Sequence, residues 1–223
     1  MCGRFAFFAP PEAIARQFGV AEPPLLEPRY NISPTQPVPV IRWDRDAVPS
    51  LDMLRWGLIP HWAKDPAIGN RMINARAETV AEKPAFREAF MRRRCLVLAS
   101  GFYEWAHTPS GKRPFFISRS GQEVMAFAGL WERWRSHADQ IEESCVIITT
   151  DASSSLAEVH DRMPVILPTG AQKRWLTDGA TPADCLAVLR SRGEARLEIR
   201  PVDKTVNDPS NEGGELLRRA ASD

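Results

Sequence analysis

The stretch that decides the fold is Cys95-Leu96-Val97-Leu98-Ala99-Ser100-Gly101-Phe102-Tyr103, in the middle of a chain of 223 residues. An apolar run this rich in branched and aromatic side chains favours a buried β-strand over a surface helix. The run ends at Glu104-Trp105, so a carboxyl group directly follows a buried strand. Shorter runs on either side predict further strands at residues 38–43, 51–56, 114–118, 124–130, 145–150, 165–167 and 197–202.

Helical spacing lies between these strand candidates. Ile14 and Phe18 are four residues apart within 11–18, and Gly19 supplies a stop signal. Further helices are predicted at residues 83–93, 154–159, 171–176 and 182–191. Many short strands with interspersed helices are typical of an α+β fold. Because no change of composition divides the chain, we expect one domain over residues 1–211, followed by a polar, disordered tail at 212–223.

Composition and charge limit the classes of function. Hydrophobic residues make up 43% of the chain and charged residues 26%, as in ordinary soluble proteins. No run approaches the ~18 apolar residues of a membrane span, and no signal peptide is present, so we expect a cytoplasmic protein. A net charge of +1 is too small for a protein that coats nucleic acid unspecifically. DNA binding would need a local patch, for which the arginine run 92–94 is a candidate, although it could equally be a solvated face.

The cysteines and the missing motifs exclude several chemistries. Cys2, Cys95, Cys145 and Cys185 are scattered, without a C-x-x-C pair or a histidine at zinc-finger distance. The last three lie in apolar or helical stretches, so they are expected in the core. The chain also lacks the G-x-G-x-x-G, Walker, H-E-x-x-H and G-x-S-x-G motifs. We therefore predict no metal, no cofactor and no serine-hydrolase function.

Cys2 differs from the other cysteines because it becomes the first residue once Met1 is removed. Removal leaves an α-amine, with a reference pKa of ~7.7–8.0, beside a thiol that titrates near ~8.5. An amine and a thiol on one residue can capture an aldehyde as an imine and then close a five-membered thiazolidine, since both attacking atoms are already tethered. Taken alone, a cysteine at position 2 is more simply explained as incidental.

Three polar residues are candidate partners of Cys2. Glu104 follows an apolar strand, where burial would raise its pKa and suit it to general acid and base catalysis. His160 can transfer protons near neutral pH. Asn74, in a long loop-like segment at 57–79, can hold a carbonyl or an amine through its amide. Each also has a simpler interpretation, respectively an exposed carboxylate, a satisfied loop histidine and a turn residue.

Arginines and aromatic residues supply candidate DNA contacts. Arg4, Arg76 and Arg162 are the best candidates for phosphate binding, because a guanidinium group can donate two parallel hydrogen bonds. Unpaired bases could stack on aromatic rings, although core packing is the commoner fate of such residues. The candidate rings are Trp56, Trp62, Phe102, Tyr103 and Trp105.

Six motifs occur in order over nearly the whole chain. They are Met1-Cys2-Gly3-Arg4-Phe5, Arg29-Tyr30-Asn31-Ile32-Ser33-Pro34-Thr35, Trp56-Gly57-Leu58-Ile59-Pro60, Asn74-Ala75-Arg76-Ala77-Glu78-Thr79, Gly101-Phe102-Tyr103-Glu104-Trp105 and His160-Asp161-Arg162-Met163-Pro164. Together they resemble the SRAP family, the SOS response-associated peptidases that are also called abasic-site processing proteins. The resemblance implies a single α+β domain with a barrel-like mixed β core and peripheral helices.

The resemblance also implies a function in the DNA damage response. Mature Cys2 would crosslink to the ring-opened aldehyde of an abasic site as a thiazolidine, a lyase-like reaction, after autoproteolytic removal of Met1. Asn74 would orient the Cys2 backbone or the intermediate. Glu104 would transfer protons during sugar ring opening and imine formation, and His160 would assist ring opening and could promote reversal.

The implied partner is single-stranded DNA that contains abasic sites, bound by a monomer that joins the nucleoid during DNA damage. Arg4 and Arg76 match family positions that contact the DNA backbone, and Arg87 is a candidate for a further helix arginine. Two rival functions remain open from the residues alone. One is a cysteine peptidase that acts on other proteins through Cys2 and His160. The other is a non-catalytic module that binds nucleic acid through the arginine-rich middle of the chain.

Overall fold

The computed structural model describes residues 2–44, 46–109, 111–120, 124–191 and 197–220, and within these ranges no helix is long and apolar enough to cross a membrane. The strands are β1 (Phe5–Phe7), β2 (Arg29–Ile32), β3 (Pro37–Trp43), β4 (Pro49–Trp56), β5 (Asn74–Arg76), β6 (Arg94–Ala99), β7 (Gly101–Thr108), β8 (Gly111–Arg119), β9 (Met125–Arg135), β10 (Ile141–Asp151), β11 (Arg162–Pro164) and β12 (Leu197–Pro201). The α-helices are α1 (Pro11–Phe18), α2 (Arg87–Arg92), α3 (Thr169–Leu176) and α4 (Pro182–Arg190). Short 3₁₀ helices occupy Pro66–Arg71, Lys204–Asn207 and Gly214–Leu217.

A closed five-stranded barrel of β3, β4, β6, β9 and β10 forms the centre of the molecule. Antiparallel pairs join β4 to β3, β3 to β6, β6 to β9 and β9 to β10. The ring closes where β10 pairs in parallel with β4, with Ser144 opposite Arg55 and Cys145 opposite Trp56. Because closure leaves none of these five strands at a free edge and mixes both directions, the predicted α+β fold with a barrel-like mixed core is confirmed.

A second, antiparallel sheet in the order β12, β8, β7, β1, β2 packs against the barrel. Phe5 on β1 and Phe102 on β7 meet Phe127 of the barrel strand β9, at ring-centroid distances of 6.3 and 5.9 Å. All three rings are fully buried. Edge-on aromatic contacts of this kind stabilise the interface beyond the apolar area that they bury. The two sheets therefore share one core and belong to one domain.

The end of β10 brings together two segments that are distant in sequence. β5 pairs with β10 in parallel, with Asn74 opposite Ile147. β11 pairs with the last residues of β10 in the antiparallel sense, with Arg162 opposite Asp151. Because His160 lies two residues before β11, it is at the same strand end as the segment that carries Asn74.

The run 95–103, predicted as one strand, is two strands in different sheets. β6 ends at Ala99 in the barrel, and β7 begins at Gly101 in the second sheet. The chain changes sheet where it passes closest to the ring of Phe116, since a Cβ at Gly101 would lie 2.2 Å from that ring. Hydrophobic periodicity cannot reveal such a change, because apolar residues continue on both sides of it.

Most other predicted elements are found with their ends shifted by a few residues, but three differ. The helix predicted at 83–93 is confined to α2, and the strand predicted at 165–167 is replaced by β11 at Arg162–Pro164. The helix predicted at 154–159 is a series of turns in which the Ser153 carbonyl accepts from the N–H groups of both Leu156 and Ala157. Consecutive serines offer the backbone alternative hydrogen bonds, which disfavours a regular helix here.

The tail, predicted as disordered from residue 212, is ordered over 212–220. Leu216 lies in the 3₁₀ helix Gly214–Leu217 and is only 2% exposed. The Glu212 carboxylate accepts from Arg29 Nε at 3.0 Å and from the Tyr30 N–H at 2.7 Å. One apolar side chain and one carboxylate thus fix a segment whose composition is otherwise polar. Residues 221–223 lie outside the described part of the chain.

The arginine run 92–94 does not form one solvated basic face. Arg94 is 5% exposed, and it donates hydrogen bonds to four backbone carbonyls, those of Phe90, Met91, Trp175 and Thr177. Arg93 pairs with the buried Glu132, at 2.7 Å from Nε to Oε1. Only Arg92 of the three is exposed. The cysteines at 95, 145 and 185 are free and buried, as predicted.

Candidate active site

The four residues predicted to carry chemistry meet in one site. The Asn74 side-chain amide donates from Nδ2 to the Cys2 carbonyl oxygen at 2.7 Å. His160 Nε2 lies 3.9 Å from Glu104 Oε2. The negative charge of Glu104 also acts on the Cys2 thiol. The fold thus gathers residues from the N-terminus, β5, β7 and the turn before β11, while their catalytic roles remain predictions.

The register of β1 explains why Cys2 lies beside Glu104. β1 runs antiparallel to β7, with Phe5 opposite Phe102 and Ala6 opposite Gly101. Following this register backwards from Phe5 leads the N-terminal residues toward Glu104. The Cys2 side chain is fully buried at this position.

The Cys2 thiol is held in its neutral form. Burial, reinforced by the negative charge of Glu104, raises the pKa of this thiol far above its usual range. A cysteine that works as a free thiolate normally has the opposite environment, with positive charges or helix N-termini that lower its pKa. The thiol of Cys2 therefore needs a base, or a partner that has already been activated, before it can react.

Glu104 is a buried carboxyl group with a perturbed pKa. It lies on β7 and is 3% exposed, between the aromatic neighbours Tyr103 and Trp105. Burial raises the pKa of Glu104 to about 7. At neutral pH both protonation states are populated, so this carboxyl can donate and accept protons within one reaction cycle.

His160 is a neutral imidazole with a defined tautomer. Burial lowers its pKa from the usual value. Its Nδ1 accepts a hydrogen bond from the Arg162 backbone N–H at 2.9 Å, so the ring proton of the neutral form is on Nε2, which faces Glu104. The Asp161 carboxylate also lies 2.9 Å from Nδ1 and would favour a charged ring. Because that carboxylate is 87% exposed, water screens its charge, and the backbone contact decides the tautomer.

Asn74 offers a second polar atom to the site. While Nδ2 holds the Cys2 carbonyl, Oδ1 is buried and accepts no hydrogen bond from the described residues. A buried acceptor without a partner is costly, and such atoms in native proteins often await a ligand. Oδ1 is therefore placed to accept from an amine or hydroxyl group that enters beside Cys2.

An open pocket of about 410 Å³ gives access to Glu104 and His160. Its remaining lining residues are Trp105, His107, Lys112 and Asn207. The Trp105 indole donates from Nε1 to Asn207 Oδ1 at 2.7 Å, which fixes one wall of the pocket. Sequence analysis missed His107, Lys112 and Asn207. The first two could have been found from the β7–β8 pairing, in which they lie opposite each other, but no sequence signal points to Asn207.

The three predicted phosphate contacts lie in different surroundings. Arg76 is exposed at the end of β5. Arg4 is half-buried, and its Nη1 donates to Asn31 Oδ1 at 2.7 Å and to the Val206 carbonyl at 3.0 Å. The Arg162 side chain is 11% exposed and is paired with carboxylates. Arg76 alone of the three has the surroundings that a phosphate contact needs.

The aromatic candidates divide in the same way. Trp56, Phe102 and Tyr103 are fully buried and belong to the core. Trp62 is 51% exposed, and Trp105 is partly exposed at the pocket. Only the last two can offer a ring face to a base. Within the part of the chain that the structure describes, no group of three or more His, Cys, Asp or Glu residues could hold a metal ion.

The fold and the site together place this chain in one class of protein. It is an α+β barrel protein in which three polar residues, distant from Cys2 in sequence, form a site with that second residue of the chain. A family model described as SOS response associated peptidase (SRAP) matches residues 1–209. The chain belongs to this SRAP family.

Similar proteins support this membership. The abasic site processing protein YoaM of Bacillus subtilis is 41% identical over 97% of both chains. The abasic site processing protein HMCES of Xenopus tropicalis is 32% identical over 86% of this chain and 66% of its own. A crystal structure of a protein from Bacteroides thetaiotaomicron is similar with a TM-score of 0.86 and 25% identity, and covers 99% of this chain and 100% of its own.

Proposed function

We propose that this protein processes abasic sites in single-stranded DNA, by a covalent crosslink through Cys2 after Met1 has been removed. The relatives described above are named abasic site processing proteins, and the proposal extends that function to this chain. One observation carries the covalent mechanism: the Asn74 amide holds the Cys2 carbonyl beside a buried carboxyl group. A side chain that fixes the backbone of the second residue supports a function for the chain terminus itself.

The reaction begins with the ring-opened aldehyde of the abasic sugar. The Cys2 α-amine adds to the aldehyde carbon, and loss of one water leaves an imine. The imine nitrogen keeps its proton, Sγ adds to the imine carbon as the thiol proton passes to Glu104, and a neutral thiazolidine results. The raised pKa of the thiol supports this order, because the amine is the stronger nucleophile until the imine has formed.

Each neighbouring residue has a role that its environment supports. Glu104, with a pKa of about 7, protonates the departing hydroxyl group when the imine forms and then accepts the proton of the thiol. His160 donates from Nε2 to the sugar ring oxygen during ring opening. Asn74 Oδ1 accepts from the α-amine and directs its lone pair toward the aldehyde.

The proposal also includes how the protein binds DNA. Arg76 contacts a backbone phosphate and Trp105 stacks on an unpaired base, since Arg76 is exposed at the end of β5 and Trp105 lines the pocket. A peptide nitrogen cannot form an imine, so Met1 must be removed first. We include its autoproteolytic removal in the proposal, because Glu104, which His160 faces, acts on Cys2, the residue that follows Met1.

A cysteine peptidase that acts on other proteins is less well supported. It would need a stabilised Cys2 thiolate with His160 as its base. Burial instead raises the pKa of the thiol, and Nε2 of His160 faces Glu104. N-terminal acetylation separates the two functions, because it blocks thiazolidine closure and leaves a thiol protease active.

The test mixes mature protein with single-stranded DNA that carries one abasic site. We expect a heat-stable adduct on a denaturing gel, and no adduct with Cys2→Ala or with N-terminally acetylated protein. Cys185→Ala is the matched control, since Cys185 lies on α4 away from the site, and it should crosslink like the wild type. A Cys2→Ala variant that crosslinks as fast as the wild type would overturn the proposed function.

A further inference from the structure

The pocket beside the proposed site carries two nitrogen-bearing side chains that the proposed function does not use. His107 on β7 and Lys112 on β8 are exposed, and both line this pocket together with Glu104 and His160. They lie directly opposite each other in the antiparallel pair of β7 and β8. Because opposite residues in such a pair project from the same face of the sheet, the two side chains share one space at the mouth of the pocket.

Both side chains have hydrogen-bond donors to offer. Within the part of the chain that the structure describes, neither His107 nor Lys112 makes a side-chain hydrogen bond or an ion pair. An ammonium group has three donors, and an imidazole ring has at least one in either charge state. These donors are therefore available to an acceptor that enters the pocket.

The charges around the pocket favour an anionic acceptor. Glu104 is the one carboxyl group among the described residues that line it, and burial raises its pKa to about 7, so at neutral pH it is partly protonated. The nearby Asp161 carboxylate contacts Nδ1 of His160, whereas Nε2 faces Glu104. The positive charge of Lys112 is thus only partly offset from within the pocket and can attract a bound anion.

The two side chains lie close to the groups that are proposed to react. His107 follows Glu104 by three residues on the same strand. Burial lowers the pKa of His160, and the charge of His107 makes a smaller contribution in the same direction, so the two rings are within electrostatic range. An anion held by His107 and Lys112 would therefore lie next to the space in which Glu104 and His160 act.

The wall beside these residues is fixed before any ligand arrives. The Trp105 indole donates to Asn207 Oδ1 at 2.7 Å, and the Arg4 guanidinium lies 5.9 Å from the centre of the Trp105 ring. The pocket volume of about 410 Å³ is near the lower end of the range for small-molecule sites, ~300–1,000 Å³. A pocket of this size suits a sugar with an attached phosphate.

We propose that Lys112, with His107 opposite it, binds a phosphate group that flanks the abasic sugar. This inference rests on the proposed function and defines its substrate further, as an aldehyde that is joined to a phosphate diester. Each flanking phosphate is only a few bonds from the aldehyde carbon, so a phosphate held at the mouth of the pocket keeps the aldehyde near Cys2.

The test measures the affinity for single-stranded DNA with one abasic site by fluorescence anisotropy. Every protein carries Cys2→Ala, so that covalent capture does not add to binding. Three DNAs are compared: one with phosphates throughout, and two with an uncharged methylphosphonate on either the 5′ or the 3′ side of the abasic sugar. We expect Lys112→Gln to weaken binding of the first DNA about 3- to 10-fold, and His107→Ala to weaken it less.

The methylphosphonates identify the phosphate that Lys112 contacts. One of the two should weaken binding to the parent protein about as much as Lys112→Gln does. On that DNA, Lys112→Gln should cause no further loss, because the same contact is already missing. The other methylphosphonate should leave the effect of Lys112→Gln unchanged.

Lys173→Gln is the matched control, because it removes one exposed lysine on α3, outside the pocket. It should bind all three DNAs like the parent protein. Lys112→Arg keeps the positive charge and should retain most of the affinity.

Two results would overturn the inference. One is an unchanged affinity in Lys112→Gln. The other is an equal loss in Lys112→Gln on all three DNAs, which would place the contacted phosphate elsewhere along the strand. An unchanged affinity in His107→Ala would overturn the part of the contact that is assigned to His107. Failure of the proposed function gives a different result, since the wild type would then form no adduct with abasic DNA, whatever these affinities are.

Discussion

Glu104 shows how one residue's surroundings define its chemistry. Sequence analysis could single it out because it directly follows an apolar run, but the same pattern fits an exposed carboxylate at a strand end. The structure decides between them, since Glu104 is 3% exposed and its pKa is raised to about 7. His160 differs, because its tautomer depends on a backbone N–H two residues later and no sequence pattern reveals that contact.

The pH dependence of adduct formation follows from these groups. As a general acid Glu104 is active when protonated, so the rate should fall as the pH rises above about 7. The α-amine of mature Cys2 must be neutral, so the rate should also fall as the pH drops below ~7.7. Single-turnover rates of the wild type across the neutral range should therefore give a bell-shaped profile.

Glu104→Gln should slow the reaction by about 100-fold or more and remove the fall on the alkaline side, leaving only the rise that reports the amine. The gel assay for the adduct measures both effects. An unaltered bell-shaped profile in Glu104→Gln would assign the alkaline limb to another group.

At the scale of elements, a buried side chain on β2 helps to attach the C-terminal segment. Asn31 on β2 is fully buried, and its Nδ2 donates to the carbonyls of Asp208 and Asn211, both at 2.9 Å. Its Oδ1 accepts from Arg4. Because the same segment contributes Asn207 to the pocket, Asn31 links β2 to the wall of the site.

Asn31→Ala should lower the free energy of unfolding by about 2–4 kcal/mol, because it removes three hydrogen bonds that a fully buried side chain makes with Arg4 and with the carbonyls of Asp208 and Asn211. Denaturant unfolding measures the change. Asn70→Ala is the control, since Asn70 is exposed and makes one hydrogen bond, to Arg55, so its effect should stay below about 1 kcal/mol. Equal losses in the two variants would contradict the attachment role of Asn31.

The predicted helices and strands were correct where a local sequence pattern sets their bounds. They were wrong where contacts with residues distant in sequence set those bounds. Helix α1 begins and ends where its spacing, its proline and Gly19 predict. The prediction of one strand over 95–103 was wrong because the chain changes sheet between Ala99 and Gly101, where the ring of Phe116 leaves no room for a side chain at position 101. The prediction of a disordered tail from residue 212 was wrong for the described residues, because Leu216 is buried against the body of the protein. Composition alone does not predict this burial.

At the scale of the whole molecule, the barrel is the scaffold that assembles the site. The β10 strand closes the barrel and carries at its end both short strands of the site. Spacing along the sequence could not predict that residues 2, 74, 104 and 160 meet in one site, since they lie on separate segments. Their association in sequence analysis came from the resemblance to the SRAP family, which the family model confirms.

The salt dependence of DNA binding reports the number of phosphates that the protein contacts. Arg76→Ala should weaken binding to intact single-stranded DNA and reduce the slope of log affinity against log salt by about 0.7. Lys173→Ala is the control, because Lys173 is exposed on α3, outside the pocket. Fluorescence anisotropy at several salt concentrations measures the slopes, and equal slopes in Arg76→Ala and the wild type would rule out this contact.

The most direct test of the central claim is intact-mass spectrometry of the protein before and after reaction with abasic single-stranded DNA. We expect the free protein to have lost Met1, and the product to have the combined mass of protein and DNA less one water. The mass should not change on treatment with borohydride, because a thiazolidine, unlike an imine, contains no double bond to reduce. An adduct on protein that retains Met1, or one that borohydride reduces, would contradict a crosslink through the amine and thiol of Cys2.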